Sequence, residues 1–197
     1  MYYIRKHIEI SNGSIWEDGN LLINVVSEEL NDVLKTFYKS LEIAYPKFYK
    51  MDDLCKLAFI GTELLLKNIE EKNIALLFSN WEASLDTDLK HQESIQSAND
   101  FFPSPAVFVY TLPNITIGEV SIRHGLQTEN AFFVAKEFPT ETMVPYANYL
   151  LESGKAEMVV CAWIHKFKED YRAVFYLVDQ AGSEEHKEET VNKILKK

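Results

Sequence analysis

The chain has 197 residues, enough for one domain with a proper core; two domains would each be marginal. Hydrophobic residues make up 47% and charged residues 25%, the balance of an ordinary globular protein. A formal net charge of -10 argues against a basic phosphate-binding face, and so against nucleic acid and an electrostatic membrane anchor.

Residues 1–13, MYYIRKHIEISNG, alternate as a strand over about 2–10 and lack the apolar run and small-residue cleavage site of a signal peptide. No stretch approaches the roughly 20 apolar residues of a spanning helix. Ser27 is placed to cap a helix whose first turn carries Glu28 and Glu29, favourable against the helix dipole. Over 45–68, Leu54, Leu57, Ala58, Gly61 and Leu65 recur at helical spacing as a core face, with Gly61 allowing a close crossing. IALLFSN, 74–80, is an apolar run of strand length, the type buried on both faces of a central sheet.

A polar stretch, 81–100, follows. Within SLDTD at 84–88, Asp86 and Asp88 are expected to hold a loop through local hydrogen bonds rather than bind a metal. Residues 101–126 read two ways. Their β-branched side chains favour a strand, while Pro113-Asn114 and Gly125 bracket a helix. NAFFVA, 130–135, is a further buried strand, and 139–153 a helix closed by Gly154. AEMVVCAWIHK and YRAVFYLVD, joined by the short charged loop KFKED, predict an antiparallel hairpin. The expected organisation is a single domain over 1–180, with 181–197 a charged tail or terminal helix. The fold class is α/β, a mixed sheet of about five strands with helices on both faces.

Few residues suggest chemistry. Cys55 and Cys161 lie in apolar segments, as buried thiols do in a reducing cytoplasm, which is the expected location. No Cys/His spacing marks a metal site and no glycine-rich loop marks a phosphate site, so no cofactor is expected. His124 precedes a helix-closing glycine as a surface or cap residue, and His165 ends a strand beside Lys166 at a sheet edge. His7, His91 and His186 have no convergent acid or nucleophile in sequence.

The stretch 45–178 resembles the N-terminal half of a β-ketoacyl synthase of the thiolase-like superfamily. YPKFYKMDDLCKLAFIGTELLL resembles the segment entering that family's first long helix. PSPAVFVYTLPNITIGEVSIRHGL resembles its Pro-Asn-x-x-x-Gly helix ending in Gly-Leu, which implies helix for the ambiguous segment. SLDTD resembles the short synthase-like proteins of aryl polyene and related pigment pathways. The resemblance implies a thiolase-like half-fold. Aligned without gaps from Gly125-Leu126 to Gly154, it puts the nucleophilic cysteine position at Glu137. Thr-Ala-Cys has become Ala135-Lys136-Glu137, and the half that carries the family's catalytic histidines has no counterpart here.

A helix N-terminus would stabilise the Glu137 carboxylate by about 0.3–1 kcal/mol, and that stabilisation makes it a poorer nucleophile and base. Catalysis needs roughly 8 kcal/mol or more of transition-state stabilisation, and no residue in sequence supplies it. The expectation is therefore no catalytic residue and a silent, chain-length-factor-like subunit of fatty acid or polyketide-type biosynthesis. The alternatives are a residual carrier-protein-dependent enzyme (malonyl decarboxylase or thioester hydrolase) and a non-catalytic acyl-chain binder. Helix 139–153 carries apolar residues on more than one face, so it needs a cover. That predicts a homodimer or a heterodimer with a full-length ketoacyl synthase, with acyl carrier protein a further partner. Phe132, Phe133, Phe138, Met143, Tyr146 and Leu150 are the candidate interface or acyl-tunnel residues. The competing arrangement is the C-terminal tail folded back over that helix.

Overall fold

A computed structural model describes residues 1–27, 29–96 and 101–196. The five strands expected from the sequence are β1 (Tyr3–Ser11), β4 (Ile74–Asn80), β5 (Asn130–Val134), β6 (Met158–Phe167) and β7 (Asp170–Asp179). They lie side by side in the order β1-β7-β6-β4-β5. β4 is parallel to β5 and β6; β7 is antiparallel to β6 and β1. Three short strands were not foreseen: β2 (Ser14–Glu17) and β3 (Asn20–Asn24) extend the sheet beyond β1, and β8 (Glu184–Glu185) pairs with the start of β1. The two added hairpin turns are Asn12-Gly13 and Asp18-Gly19, all four residues at positive φ (47°, 72°, 50° and 81°). That is the type I′ geometry for which Asn-Gly and Asp-Gly are the favoured pairs, so both turns were written in the sequence.

All seven residues of β4 are buried, because helices cover both faces of the sheet. One face carries α1 (Leu30–Ser40), α2 (Asp53–Leu65) and α5 (Ile115–His124); the other carries α6 (Thr140–Glu152) and α7 (Glu188–Leu195). Leu76, Phe78, Val160, Ala162, Phe175 and Leu177 point to the first core; Ala75, Leu77, Val159, Cys161, Val174 and Tyr176 point to the second. β1 needs a correction of its own to serve both. Ile4 belongs to the second core while Ile8 and Ile10 belong to the first, although all three have the same parity. The pairing with β7 slips between Ile4 and Lys6, a bulge at Arg5 that turns the strand over.

Eleven of the thirteen residues of α2 are buried, as befits a helix that is apolar on nearly every side. Asp52 caps it, its carboxylate accepting from the Cys55 N–H at 2.9 Å. Gly61 does permit a close approach, and the neighbour is the sheet: a Cβ there would run into the Phe175 ring. Ser27 is not the cap of α1, since Glu29 stands at that position and Ser27 only accepts from its N–H at 3.3 Å; Glu28 lies outside the described residues. Residues 101–126 form α4 (Pro105–Val109) and α5 rather than a strand, and Gly125 ends α5 at φ 68°. The polar stretch holds a further helix, α3 (Leu85–Ile95), so Asp86 and Asp88 sit on a helical first turn and not in a loop; residues 97–100 lie outside the described set. No helix among the described residues is long and apolar enough to cross a membrane.

The tail is part of the fold. α7 buries Val191 and Ile194 against the second core and packs beside α6. Thr140 Oγ1 lies 2.9 Å from Asn192 Oδ1, and Arg172 donates to the Leu195 carbonyl at 2.7 Å. The expectation of an uncovered α6 is thereby corrected. Its inward side (Met143, Val144, Ala147, Leu150, Leu151) is buried, and Glu141, Thr142, Pro145, Tyr149 and Glu152 face solvent. Gly61→Ala is expected to cost about 1–3 kcal/mol of unfolding free energy in urea titration, because the added methyl overpacks the α2–β7 contact.

Candidate functional site

The crevice to inspect in an open sheet with parallel strands lies beyond their carboxyl ends. Here β4 and β5 end together, the Ala135 N–H donating to the Asn80 carbonyl at 2.9 Å. Asn80 is fully buried and clamps the next turn, donating to the Ala83 carbonyl at 2.8 Å and accepting from the Ala83 N–H at 2.9 Å. From β5 the chain runs through Ala135-Lys136-Glu137-Phe138-Pro139 into α6. This turn borders a crevice of about 690 Å³, closed on its other sides by Trp163, Arg172, Asn192 and Leu195.

Glu137 is exposed in that turn, three residues ahead of the first residue of α6. The expected stabilisation by the helix dipole does not apply to it, since the effect is confined to the first turn. Three of the N–H groups there are already engaged: Thr140 donates to the Phe138 carbonyl at 2.8 Å, and Thr142 and Met143 donate to the Pro139 carbonyl at 3.0 and 2.9 Å.

Neither cysteine stands nearby as a usable nucleophile. Cys161 is fully buried on β6, and burial pushes its thiol up to about 12. Cys55, between α2 and α5, is pushed well above the usual thiol range, by burial first and then by the Asp52 charge. Both are thiols at neutral pH and therefore poor nucleophiles.

No histidine lines the crevice. His165 lies past the end of β4, where β6 pairs with β7 alone, and the ring stands between Glu82 (2.6 Å) and Asp170 (3.1 Å). His124 ends α5 near Glu63, with burial lowering its pKa against the pull of that carboxylate. His7 faces Asp18 at 3.0 Å, His91 packs on Phe108, and His186 is buried against Asn148.

The six candidate interface or tunnel residues do not form one surface. Met143 and Leu150 are fully buried within the chain's own core, so they are corrected from interface candidates to core residues. Phe132 packs on the α2 side of the sheet, whereas Phe133, Phe138 and Tyr146 pack on the α6 side. Phe133 and Tyr146 meet edge to face at 6.4 Å, and Tyr146 Oη donates to Glu129 at 3.0 Å. Phe138 lies against Tyr176, ring centroids 6.1 Å apart. The sequence reading passed over Trp81, Leu85 and Leu89, exposed by 58%, 41% and 43% at i, i+4 spacing from the end of β4 into α3. Val134, at the end of the edge strand β5 and paired with Asn80 just ahead of Trp81, is 58% exposed. The signal for this apolar stripe was its four-residue spacing within an otherwise polar stretch.

Asp86 does structural work across 80 residues. It accepts from Lys90 at 2.9 Å, from the buried Lys166 at 3.0 Å and from the Lys168 N–H at 2.9 Å, fastening α3 to the β6–β7 turn. Burial works to raise its carboxyl, but these three donors outweigh it and hold the pKa below the usual value. Asp88 only receives Ser84 Oγ at 3.2 Å. Among the described residues no group of three or more His, Cys, Asp or Glu side chains is placed to hold a metal ion.

Comparison with known proteins bears on the fold. No family model matches the chain. Over 92% of its length it superposes on 80% of a chain from the complex of the ketosynthase ApeO with its chain length factor ApeC from Xenorhabdus doucetiae, with a TM-score of 0.63 and 14% identity. The fold is that of the thiolase-like ketosynthases. The ishigamide ketosynthase/chain length factor aligns with 94% of the chain at TM-score 0.65 and 15% identity. A β-ketoacyl synthase from Burkholderia phymatum aligns with 91% at TM-score 0.58 and 10% identity. The chain spans 63% and 59% of those two proteins. At such identities the likeness is one of fold. A 73-residue segment is 34% identical to the RNA polymerase II subunit rpb4 of Dictyostelium discoideum. It covers 37% of this chain and 46% of that protein, too small a share to carry a family.

Two substitutions separate the turn from the scaffold. Glu137→Ala is expected to change the unfolding free energy by no more than about 0.5 kcal/mol, as for an exposed side chain. Asp86→Ala is expected to cost about 1–3 kcal/mol near neutral pH, because it leaves the buried Lys166 with only the more distant Asp53 carboxylate, at 3.9 Å, and the Lys168 carbonyl. With the Asp86 pKa lowered in the folded state, its contribution is present above the usual carboxylate pKa and lost as pH falls through the lowered value. The difference between wild type and Asp86→Ala should therefore shrink below about pH 4, read by chemical denaturation at several pH values.

Proposed function

We propose that this chain is a non-catalytic, chain-length-factor-like partner of a full-length β-ketoacyl synthase in a fatty acid or polyketide-type pathway. The observation that carries the reading is the turn between β5 and α6. In a ketosynthase fold it presents Lys136 and an exposed Glu137, with both thiols buried elsewhere and no imidazole in the crevice. An exposed carboxylate with no thiol or imidazole beside it supplies no activated nucleophile of the kind acyl transfer uses. Some of the fold's structural neighbours are ketosynthases paired with a chain length factor, which makes a synthase partner the reading to test first. The SLDTD resemblance points within that class to pathways of the aryl polyene type.

The docking surface in this reading is the free edge of β5 with Val134, together with Trp81, which follows the Asn80 that pairs with Val134. An edge strand offers unpaired backbone groups to another strand, and exposed apolar patches of this kind mark interfaces. Phe133 and Tyr146 support that edge from the α6 side.

Co-expression with a full-length synthase carrying its cysteine and histidines, followed by size-exclusion chromatography with light scattering, tests the proposal. A one-to-one complex that Val134→Asp and Trp81→Asp weaken at least tenfold supports it. No complex, or a homodimer indifferent to both substitutions, overturns it. Incubation with malonyl- and acyl-carrier protein addresses the competing enzymatic reading. No turnover above background is expected from the chain alone, and turnover abolished by Glu137→Ala would replace the proposal.

A further inference from the structure

The C-terminal segment is held by an uneven interface. After β7 the chain leaves the sheet through Gly182, which crosses so close over Ile4 that a Cβ would strike its carbonyl. It then adds β8 to β1 and lays α7 beside α6. Apolar attachment comes from Val191 and Ile194. The polar attachment is incomplete. His186 is 4% exposed and its Nδ1 meets Asn148 Oδ1 at 2.8 Å, yet its Nε2 has no hydrogen-bond partner. The Tyr176 ring lies 5.6 Å from it, with a fully buried hydroxyl that has the Cys161 thiol beside it. Arg172 donates to Glu9 and to the Leu195 carbonyl, but its Nη2 is buried without a partner. Two buried polar atoms without partners, His186 Nε2 and Arg172 Nη2, thus lie within and beneath one short segment. Each such group costs about 1–3 kcal/mol while the segment is closed, and opening returns both to water.

We propose that residues 184–196 form a latch that opens as a unit while the rest of the sheet stays folded, uncovering α6 and the crevice beside Trp163, with His186 as its trigger. The groups facing His186 are Asn148 from α6, Tyr176 from β7 and the Tyr2 carbonyl ahead of β1, which accepts from the His186 N–H at 2.9 Å. None of them is ionised at neutral pH, and the flanking Glu185 and Lys187 pair with each other at 3.2 Å. Burial alone therefore lowers the imidazole from 6.5 to about 4. A charge-disfavouring site of this sort stabilises the closed latch above the solvent-exposed pKa. It loses that contribution as pH falls toward the buried value. Acid opens the latch.

Hydrogen exchange measured by mass spectrometry on the full chain tests this, with rates corrected for intrinsic exchange. At neutral pH residues 184–196 should exchange ahead of β6 and β7. Between about pH 7 and about pH 5 their opening equilibrium should rise about 20-fold while the two strands keep their protection. His186→Asn should abolish that rise. Exchange of 184–196 only together with β6 and β7 overturns the proposal, as does a pH response that survives in the variant. Should His186→Asn fail to fold, the wild-type ring decides by NMR: titration below about pH 4.5 supports the latch, and titration near 6.5 overturns it.

Discussion

Three neighbouring strands, β4, β6 and β7, are apolar on both faces and buried on both faces, and the rest of the molecule is attached to them. Burial of this kind is worth roughly 25 cal/mol per Å² of apolar surface and demands a helix layer on each side. α2 meets the demand on one side by packing without a polar face, close enough that Gly61 rests on Phe175. α6 and α7 meet it on the other. The bulge at Arg5 follows from the same constraint, since β1 must feed one core with Ile4 and the other with Ile8 and Ile10.

The strand-to-helix turn of this scaffold holds a carboxylate, with no thiol or imidazole among the residues lining the crevice beside it. The strand-to-helix passage at 135–139 opens on a crevice, and a ketosynthase fold carries it. What occupies it is an exposed carboxylate, and three of the nearest helix N–H groups are already bonded to the Phe138 and Pro139 carbonyls. The chain's two thiols are locked in the two cores, where burial keeps them protonated. The same chain leaves apolar side chains at the end of β4, on α3 and at the end of β5 facing outward.

Much of the fold was legible because its signals are local. IALLFSN announced a doubly buried strand by its unbroken apolar run, and Gly125 and Gly154 marked helix ends through the left-handed conformation each adopts (φ 68° in both). The β2–β3 extension was equally local, in Asn12-Gly13 and Asp18-Gly19, but those pairs went unread. α3 was obscured because SLDTD is as rich in loop formers as in first-turn acids. The contacts of Asp86 could not be read at all, since Lys166 lies 80 residues away and only the packing of α3 beside the β6–β7 turn joins them. For the same reason Met143 and Leu150 looked available for a partner until α6 was seen lying inward.

By itself the sequence determined the alternation of strands and helices, the burial of the central strands and the carboxylate at the turn. Periodicity, turn chemistry and residue identity are properties of short segments. Only the tertiary structure decided what covers α6. The tail's charged outer face and its few apolar residues were compatible with a frayed end. Whether Val191 and Ile194 find a surface depends on where the Gly182 crossing delivers them, and that position is set by β1 and β7 pairing more than 160 residues apart in the chain.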